Sequence, residues 1–446
     1  MISSNITSAL RTGYPQLLNF GRISGLCKMS PTNIILTIPQ TSSITGKAMR
    51  VDRPPRPPPF DWKNKNYRIW HTFTDPMDAR FDDNSKIVIV EGLPAVGKDK
   101  FAKKLAEELE MLYVPQPRFD DIFISPHGFD YRTLNEKLPD DAQYFDEKMF
   151  LANPYHRNTC AMQHTYYQMR YDQYVDALAH VFSTGQGVVL QRSPWSDMVF
   201  MKAMHSAGYV SKQGFDYYKS SLAASLHQIL KPHLIIYLDI PSSMVKQRIQ
   251  KRALPHELNS EVLTPKYLQE IETNYKNIYL PDISKHAHVL IYHWVEEADM
   301  WSIVDDIEEL QFDGYDRESS KMADWSFSTL DMRRAARTIY TNRKEQLLDS
   351  ARVVRYDVPE MLISPEDQSR RQKLLDNLAE ERVGLKGHFP QPMNHAVGPN
   401  WPDSLLLGFY LSHAALAAFR RTNSKWRISP SLVKNTLLAT WLCLRR

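Results

Sequence analysis

The sequence predicts an α/β fold, with a parallel β-sheet flanked by helices. Short apolar runs alternate with longer segments whose apolar residues recur at helical spacing, as in successive βαβ crossovers. A glycine-rich loop joins the first of these runs to the first helical segment. Together, these observations predict one doubly wound domain over residues 86–315.

The elements of this domain can be placed along the chain. Residues 86–92 are a β-branched apolar run that ends in glycine and predicts the first strand. Similar runs predict further strands at 188–190, 234–239 and 289–292. Helical spacing predicts connecting helices at about 98–110, 161–183, 213–230, 241–253 and 264–280. Because parallel strands need long crossover connections, these intervening helices support a parallel sheet.

The flanking segments differ from the domain in composition. Residues 1–50 predict a mitochondrial transit peptide, since they lack acids, contain arginine and are rich in serine and threonine; a disordered tail is the alternative. Residues 51–85 form a proline-rich linker whose aromatic side chains predict a strap against the surface. Charged helical pieces and scattered prolines predict a docking extension at 316–386. The basic tail at 387–446 is either a lineage-specific extension or a gene-model error.

Charge and cysteine content exclude several classes of function. Residues 52–403 carry 43 basic and 51 acidic residues, and this acidic balance argues against a nucleic-acid-binding surface. Three isolated cysteines without clustered ligands predict neither disulfides nor a metal site. The apolar stretch at 405–419 is shorter than the roughly 20 residues that span a bilayer, so no transmembrane helix is expected.

The loop from Gly92 to Asp99 carries the strongest motif. Its Gly92-x4-Gly97-Lys98 spacing lies between a predicted strand and a helix N-terminus, where backbone N–H groups cradle phosphate and a lysine reaches its oxygens. A glycine-bearing connection without a ligand is the alternative. Asp99 stands where the motif has Ser or Thr as a Mg²⁺ ligand. Its carboxylate would repel a phosphate about 4 Å away by roughly 4 kcal/mol unless it is turned away.

Three further segments carry a family resemblance. Residues 191–197 resemble the Glu/Asp-Arg-Ser motif of deoxyribonucleoside kinases, and Arg248, Lys251 and Arg252 resemble that family's basic lid. Gln163, or alternatively Gln168, lies on a predicted helix similar to the one that bears the family's base-recognising glutamine. The resemblance covers about 86–300 and implies a P-loop nucleoside-kinase-like fold. The residual nucleotide site that it implies consists of Gly92, Gly97, Lys98, Asp99, Gln163, Arg192, Arg248 and Arg252.

The departures from the family's pattern predict a loss of catalysis. The resemblance places Gln116 where the family has its general-base glutamate, and an amide cannot accept the proton. Gln191 likewise replaces an acid that helps to organise the metal. Since the cations persist while these groups are altered, we expect a binder with no catalytic residues. A purine nucleotide is the expected ligand; FAD, attributed to the family, lacks support because no GxGxxG fingerprint occurs.

Other stretches resemble a non-enzymatic branch of this superfamily, whose members are accessory subunits of mitochondrial respiratory complex I. They are residues 44–50, 101–109, 183–190 and 230–234. This resemblance implies a peripheral position on the matrix side of the mitochondrial inner membrane, with other membrane-arm subunits as partners and a role in assembly or stability. The alternatives are an active mitochondrial deoxyribonucleoside kinase and a diverged paralogue that assembles with nothing.

Overall fold

The computed structural model describes residues 43–383, except for 69, 127, 297–298, 313–319 and 354–356. The predicted leader up to residue 42, the apolar stretch at 405–419 and the basic tail from 387 therefore lie outside the described residues. Within the described ranges, no helix combines the length and the apolar character needed to cross a membrane.

The described elements follow the predicted alternation. The strap contains the short helices α1 (His71–Thr74) and α2 (Met77–Arg80). The domain runs in the order β1 (Ile87–Gly92), α3 (Lys98–Glu108), β2 (Leu112–Val114), α4 (Asp120–Phe123), α5 (Glu147–Ala152), α6 (Thr159–Thr184), β3 (Val188–Gln191), α7 (Asp197–Ser206), α8 (Lys212–Ser225), β4 (Leu234–Asp239), α9 (Ser242–Arg252), α10 (Pro255–Leu258), α11 (Pro265–Asn274), α12 (Leu280–Ile283), β5 (His288–His293) and α13 (Met300–Glu308). The extension contains α14 (Leu330–Asn342), α15 (Lys344–Ser350) and α16 (Pro365–Val383).

The strands form a parallel sheet in the order β2-β3-β1-β4-β5, so the predicted fold class is confirmed. All residues of β1, β3 and β4 are buried, as expected for apolar strands covered by helices on both faces. After β1 the chain continues to β2 at one edge of the sheet, whereas after β3 it continues to β4 on the other side of β1. This reversal of strand order opens a crevice beyond the carboxyl ends of these neighbouring strands, where ligands of such folds bind.

A π-helical turn at Tyr275–Tyr279 interrupts the helix predicted at 264–280. The sequence pattern gives no sign of it, because one extra residue in a turn leaves the apolar spacing on either side almost unchanged. The turn buries the rings of both Tyr275 and Tyr279, and the Tyr275 ring packs against Tyr237 of β4. Its consequence lies in the site, where both hydroxyl groups are hydrogen-bonded.

The extension is more helical than its prolines suggested. The prolines at 359 and 365 led us to expect loops, but Pro365 is the first residue of the 19-residue helix α16. Proline is compatible with the first turn of a helix, where its missing N–H has no intrahelical acceptor. The Ser364 hydroxyl caps this end by accepting a hydrogen bond from the backbone N–H of Asp367. Composition alone could not separate a helix-starting proline from a loop proline.

The strap is fastened to the extension by a buried charge cluster. Arg80 and Arg337 both form ion pairs with Asp75, and both arginine side chains are at most 2% exposed. The Arg337 guanidinium also lies 4.5 Å from the ring centroid of Phe60 and 3.9 Å from that of Tyr67. The aromatic residues of the linker thus enclose a cation from α14, and we refer to these five residues as the strap clamp.

Replacing Arg337 with alanine should lower the free energy of unfolding by about 3–5 kcal/mol, since it leaves a buried carboxylate with one cation fewer. Urea unfolding at neutral pH measures the loss. Arg334→Ala is the matched control on the same helix, where the side chain is 28% exposed and the expected loss is below about 1 kcal/mol. Equal losses in the two variants would contradict the clamp.

Candidate functional site

The phosphate-loop motif lies in the crevice, between the end of β1 and the start of α3. Ala95 and Gly97 both have a left-handed backbone, with φ of 57° and 90°. Left-handed residues beside right-handed ones turn successive N–H groups toward one side, which forms an anion-binding concavity. For Ala95 this conformation carries strain that glycine would avoid, and strain of this kind collects at binding sites.

Gly92 is required by close packing as well as by its φ of 147°. A side chain at this position would come within 2.8 Å of the carbonyl oxygen of Leu238 on β4. The loop can therefore leave β1 at this angle only because Gly92 has no Cβ.

The Lys98 ammonium group is folded back into the loop. Its Nζ donates to the carbonyl oxygens of Gly92, at 3.1 Å, and Leu93, at 2.5 Å. Burial, and next the positive charge of Arg192, hold the Lys98 pKa well below its usual value. An ammonium has three N–H donors, so one remains for an anion beyond these two contacts.

The Asp99 carboxylate is bonded to side chains of β2 and β3. It accepts a hydrogen bond from the Tyr113 hydroxyl and another from the Gln191 amide, whose nitrogen lies at 3.3 Å. The same amide nitrogen lies 3.1 Å from the Tyr113 oxygen, which closes a triangle. Burial and the bond to Asp99 both raise the Tyr113 pKa. The expected repulsion between Asp99 and a phosphate is thereby reduced.

Arg192 adopts a left-handed φ of 64° directly after β3 and is buried. Its Nε donates to the Gln116 side-chain oxygen at 3.2 Å, and one terminal nitrogen donates to the Tyr275 hydroxyl at 2.7 Å. The guanidinium also lies 4.4 Å from the Phe200 ring centroid. Gln116 therefore holds an arginine by its oxygen, at the position where the family resemblance implies a proton acceptor.

Glu91 is a fully buried carboxylate that the sequence analysis did not select. It accepts hydrogen bonds from the Tyr275 hydroxyl at 2.9 Å and the Ser193 hydroxyl at 3.2 Å. Tyr275 thus bridges Glu91 and Arg192, which explains why the π-helical turn matters for the site. The sequence feature that could have identified Glu91 is its place near the end of an otherwise apolar strand, because an acid is rarely buried without a partner.

A second polar group lies on α6, beyond the loop. The Gln163 amide donates to the Asp197 carboxylate at 2.9 Å, and Arg170 forms an ion pair with the same carboxylate. Burial, followed by the charge of Arg192, lowers the Arg170 pKa to about 10. Arg170 was missed, although it lies seven residues after Gln163 and hence on the same helix face. Gln168 instead bonds His164, so Gln163 is the glutamine that joins this group.

Two of the three basic residues of the predicted lid are already engaged. Arg248 donates to the backbone oxygens of Val96 at 3.0 Å, Trp294 at 2.7 Å and Val295 at 2.9 Å. It therefore connects α9 to the phosphate loop and to the segment after β5. Arg252 forms an ion pair with Glu257, while Lys251 is exposed. Arg248 thus lies at the loop, and the Glu257 carboxylate neutralises much of the charge of Arg252.

The site gathers positive charge around the loop, and an amide stands where the family resemblance implies a general base. Lys98, Arg192 and the loop N–H groups supply positive charge at the end of β1. Gln163 and Asp197 offer amide and carboxylate atoms of the kind that pair with the edge of a nucleobase. Acceptance of a proton from an attacking hydroxyl would require a basic group that Gln116 cannot supply.

Comparisons with known proteins agree with this fold. The family model for deoxynucleoside kinases matches residues 88–322. A mouse (Mus musculus) protein, NADH dehydrogenase (ubiquinone) 1 alpha subcomplex subunit 10, mitochondrial, is 34% identical over 331 residues, which cover 73% of this chain and 86% of that protein. The Bos taurus protein of the same name is 36% identical over 241 residues, or 52% of this chain and 66% of that protein. Deoxyguanosine kinase of Dictyostelium discoideum is 28% identical over 229 residues, or 51% and 70%.

Replacing Arg248 with alanine should loosen the phosphate loop, since it removes charge-assisted bonds to three carbonyl groups. We expect a loss of about 2 kcal/mol in the free energy of unfolding, together with faster amide hydrogen exchange over residues 92–98. Lys251→Ala, an exposed change on the same helix, should cost less than about 0.5 kcal/mol. Unchanged exchange in the loop of the Arg248 variant would contradict its assigned role.

Proposed function

The chain belongs to the deoxynucleoside kinase family, and we propose that it serves as a non-catalytic accessory subunit of mitochondrial respiratory complex I. One observation carries the non-catalytic part: the side chains at three catalytic positions are bonded to each other or to a site cation. Gln191 bonds Asp99, and Gln116 bonds Arg192. Side chains engaged in this way stabilise the resting cleft rather than a transition state.

The chemistry of phosphoryl transfer supports this proposal. The reaction depends on positioning and on electrostatic stabilisation by metal ions and cations, while a residue near the nucleophile accepts its proton. Here the cations Lys98 and Arg192 persist, but glutamine stands at the proton-accepting position. The arrangement retains what a bound phosphate needs and lacks a group that would activate an attacking hydroxyl.

The similarity to complex I subunits supports the proposed partners. The mouse alignment spans 331 residues and is longer than the kinase stretch 88–322, so the similarity reaches beyond the kinase domain. That relative's name places it in a mitochondrial NADH dehydrogenase. We extend this to a peripheral position on the matrix side of the inner membrane, where this chain contacts membrane-arm subunits and contributes to assembly or stability. The import-like composition of residues 1–50 supports the compartment.

The strap offers apolar surface for such contacts. Trp70 directly precedes the single-turn helix α1 and Phe73 lies within it; they are 51% and 87% exposed, respectively. Large apolar side chains that remain exposed near one another are typical of protein–protein interfaces. The strap clamp holds this segment in place, so its exposed face would be presented to a neighbouring subunit in a fixed geometry.

An active mitochondrial deoxyribonucleoside kinase is the alternative function. It would need a nearby acid to replace the missing base, and Asp120, Asp121 and Asp197 are the candidates. Asp120 pairs with Arg132, and Asp121 accepts from the backbone N–H of Arg118. Asp197 accepts bonds from Gln163 and Tyr218 and pairs with Arg170. These engagements favour the non-catalytic proposal.

We further propose that the cleft holds a purine nucleotide as a structural ligand. The left-handed loop residues Ala95 and Gly97, with one donor left on Lys98, suit its phosphates. The buried pair of Gln163 and Asp197 suits the edge of its base. Such a ligand would stabilise the fold by mass action and undergo no reaction.

Blue native gels of mitochondrial membranes test the proposed assembly. A tagged copy of the full chain should co-migrate with complex I, and its depletion should lower both the amount of assembled complex and its NADH:ubiquinone oxidoreductase activity. Re-expression of the native chain should restore both, and a Lys104→Ala chain, altered at an exposed position of α3, should do so equally. A protein found solely in a soluble matrix pool, with complex I intact after depletion, would overturn the proposal.

A further inference from the structure

The kinase family implies a Mg²⁺ ion beside the phosphate loop. In P-loop enzymes a Ser or Thr after the lysine ligates the ion, and an acid on a neighbouring strand helps to hold it. Asp99 and Gln191 stand at these two places. Whether Mg²⁺ fits can therefore be judged from how these side chains are bonded.

The donor set does not fit the ion. The atom of Gln191 that faces Asp99 is its amide nitrogen, which donates to the carboxylate at 3.3 Å and to the Tyr113 oxygen at 3.1 Å. Mg²⁺ takes oxygen ligands in a near-octahedral shell at about 2.0–2.1 Å, and N–H donors repel it. A rotated amide would place its oxygen against the carboxylate and leave that pair without a donor.

The hydrogen-bonded triangle of Asp99, Tyr113 and Gln191 also makes a connection between α3 and β3 that a bound ion would otherwise make. A bound ion would link the first turn of α3 to the end of β3. Here Asp99 on α3 is joined to Gln191 on β3 and to Tyr113 on β2 by direct hydrogen bonds. Hydrogen bonds to a charged group contribute more than neutral ones. The loop is consequently fixed to the sheet without a cation.

Positive charge for an anion is supplied by protein groups. Lys98 retains one donor beyond its two carbonyl contacts. The guanidinium groups of Arg192 and Arg170, and that of Arg252 to the extent that Glu257 leaves it unbalanced, contribute a positive potential at its ammonium group, which the buried Glu91 partly offsets. The loop N–H groups around Gly97 add the partial charge of the helix terminus.

We propose that this cleft binds a nucleoside polyphosphate as the free anion, without Mg²⁺. The inference rests on the proposed nucleotide binding. It implies that Mg²⁺ lowers the affinity for the nucleotide, whereas a kinase binds the nucleotide together with Mg²⁺. Complexation by Mg²⁺ removes two negative charges from the ligand, and the ion would meet the Asp99 carboxylate only where the Tyr113 hydroxyl and the Gln191 amide N–H already donate to it. Excess Mg²⁺ should therefore weaken binding.

Calorimetric titration of the full chain with ATP, and separately with dGTP, tests this. Binding in EDTA should be tighter than binding in excess MgCl₂ by about fivefold or more, an electrostatic difference near 1 kcal/mol. The double variant Asp99→Thr, Gln191→Glu restores the Mg²⁺ ligands and should bind more tightly with MgCl₂. Lys98→Ala should lose binding, while Lys104→Ala, an exposed change on α3, should bind like the native chain.

Thermal melting of each variant without ligand separates loss of binding from loss of folding. Tighter binding of the native chain in MgCl₂ would overturn the inference and leave the complex I proposal standing. Failure of both nucleotides to bind a folded native chain in either buffer would overturn it equally. Loss of the complex I association would instead refute the proposed function, so the two failures are distinguishable.

Discussion

The hydrogen-bonded triangle of Asp99, Tyr113 and Gln191 connects three elements at the crevice, and the rest of the site depends on it. It fixes the first turn of α3 against β2 and β3, which sets the direction in which the phosphate loop leaves β1. Its O–H and N–H donors also offset part of the negative charge of the Asp99 carboxylate beside the loop. The same contact that preserves an anion site therefore removes the means to hold its metal.

Other parts of the molecule are fixed in a similar way. A kinase lid must open and close during turnover. In this chain Arg248 ties α9 to the loop, and Arg252 is held by Glu257. Elsewhere in the domain, Lys344 of the extension bridges Asp172 and Asp176 of α6. A protein that contributes surface to a larger assembly benefits from such immobility, because a preorganised interface loses less conformational entropy on binding.

Four of the five described strands could be predicted because they are largely apolar runs, and the helices because their apolar residues recur at regular spacing; β2, with three residues, was not among the predicted strands. The loop residues Gly92, Gly97 and Lys98 were found from the same local order. Arg170 and Glu91 were not, because they come together with the site only through the tertiary fold. The Asp99–Gln191 bond joins residues 92 positions apart, and no local pattern contains it. The sequence motifs show which residues depart from the family's pattern. They do not show that Asp99 and Gln191, two of these residues, are bonded to each other.

The central claim is that this cleft binds phosphate without transferring it, and single-turnover phosphoryl transfer tests that claim most directly. The purified full chain would be incubated in excess with radiolabelled ATP, MgCl₂ and a deoxynucleoside, and labelled nucleotide would be measured over hours. We expect no transfer above that of the Lys98→Ala variant, since Gln116 cannot accept the proton. Transfer by the native chain that Lys98→Ala abolishes would contradict the claim.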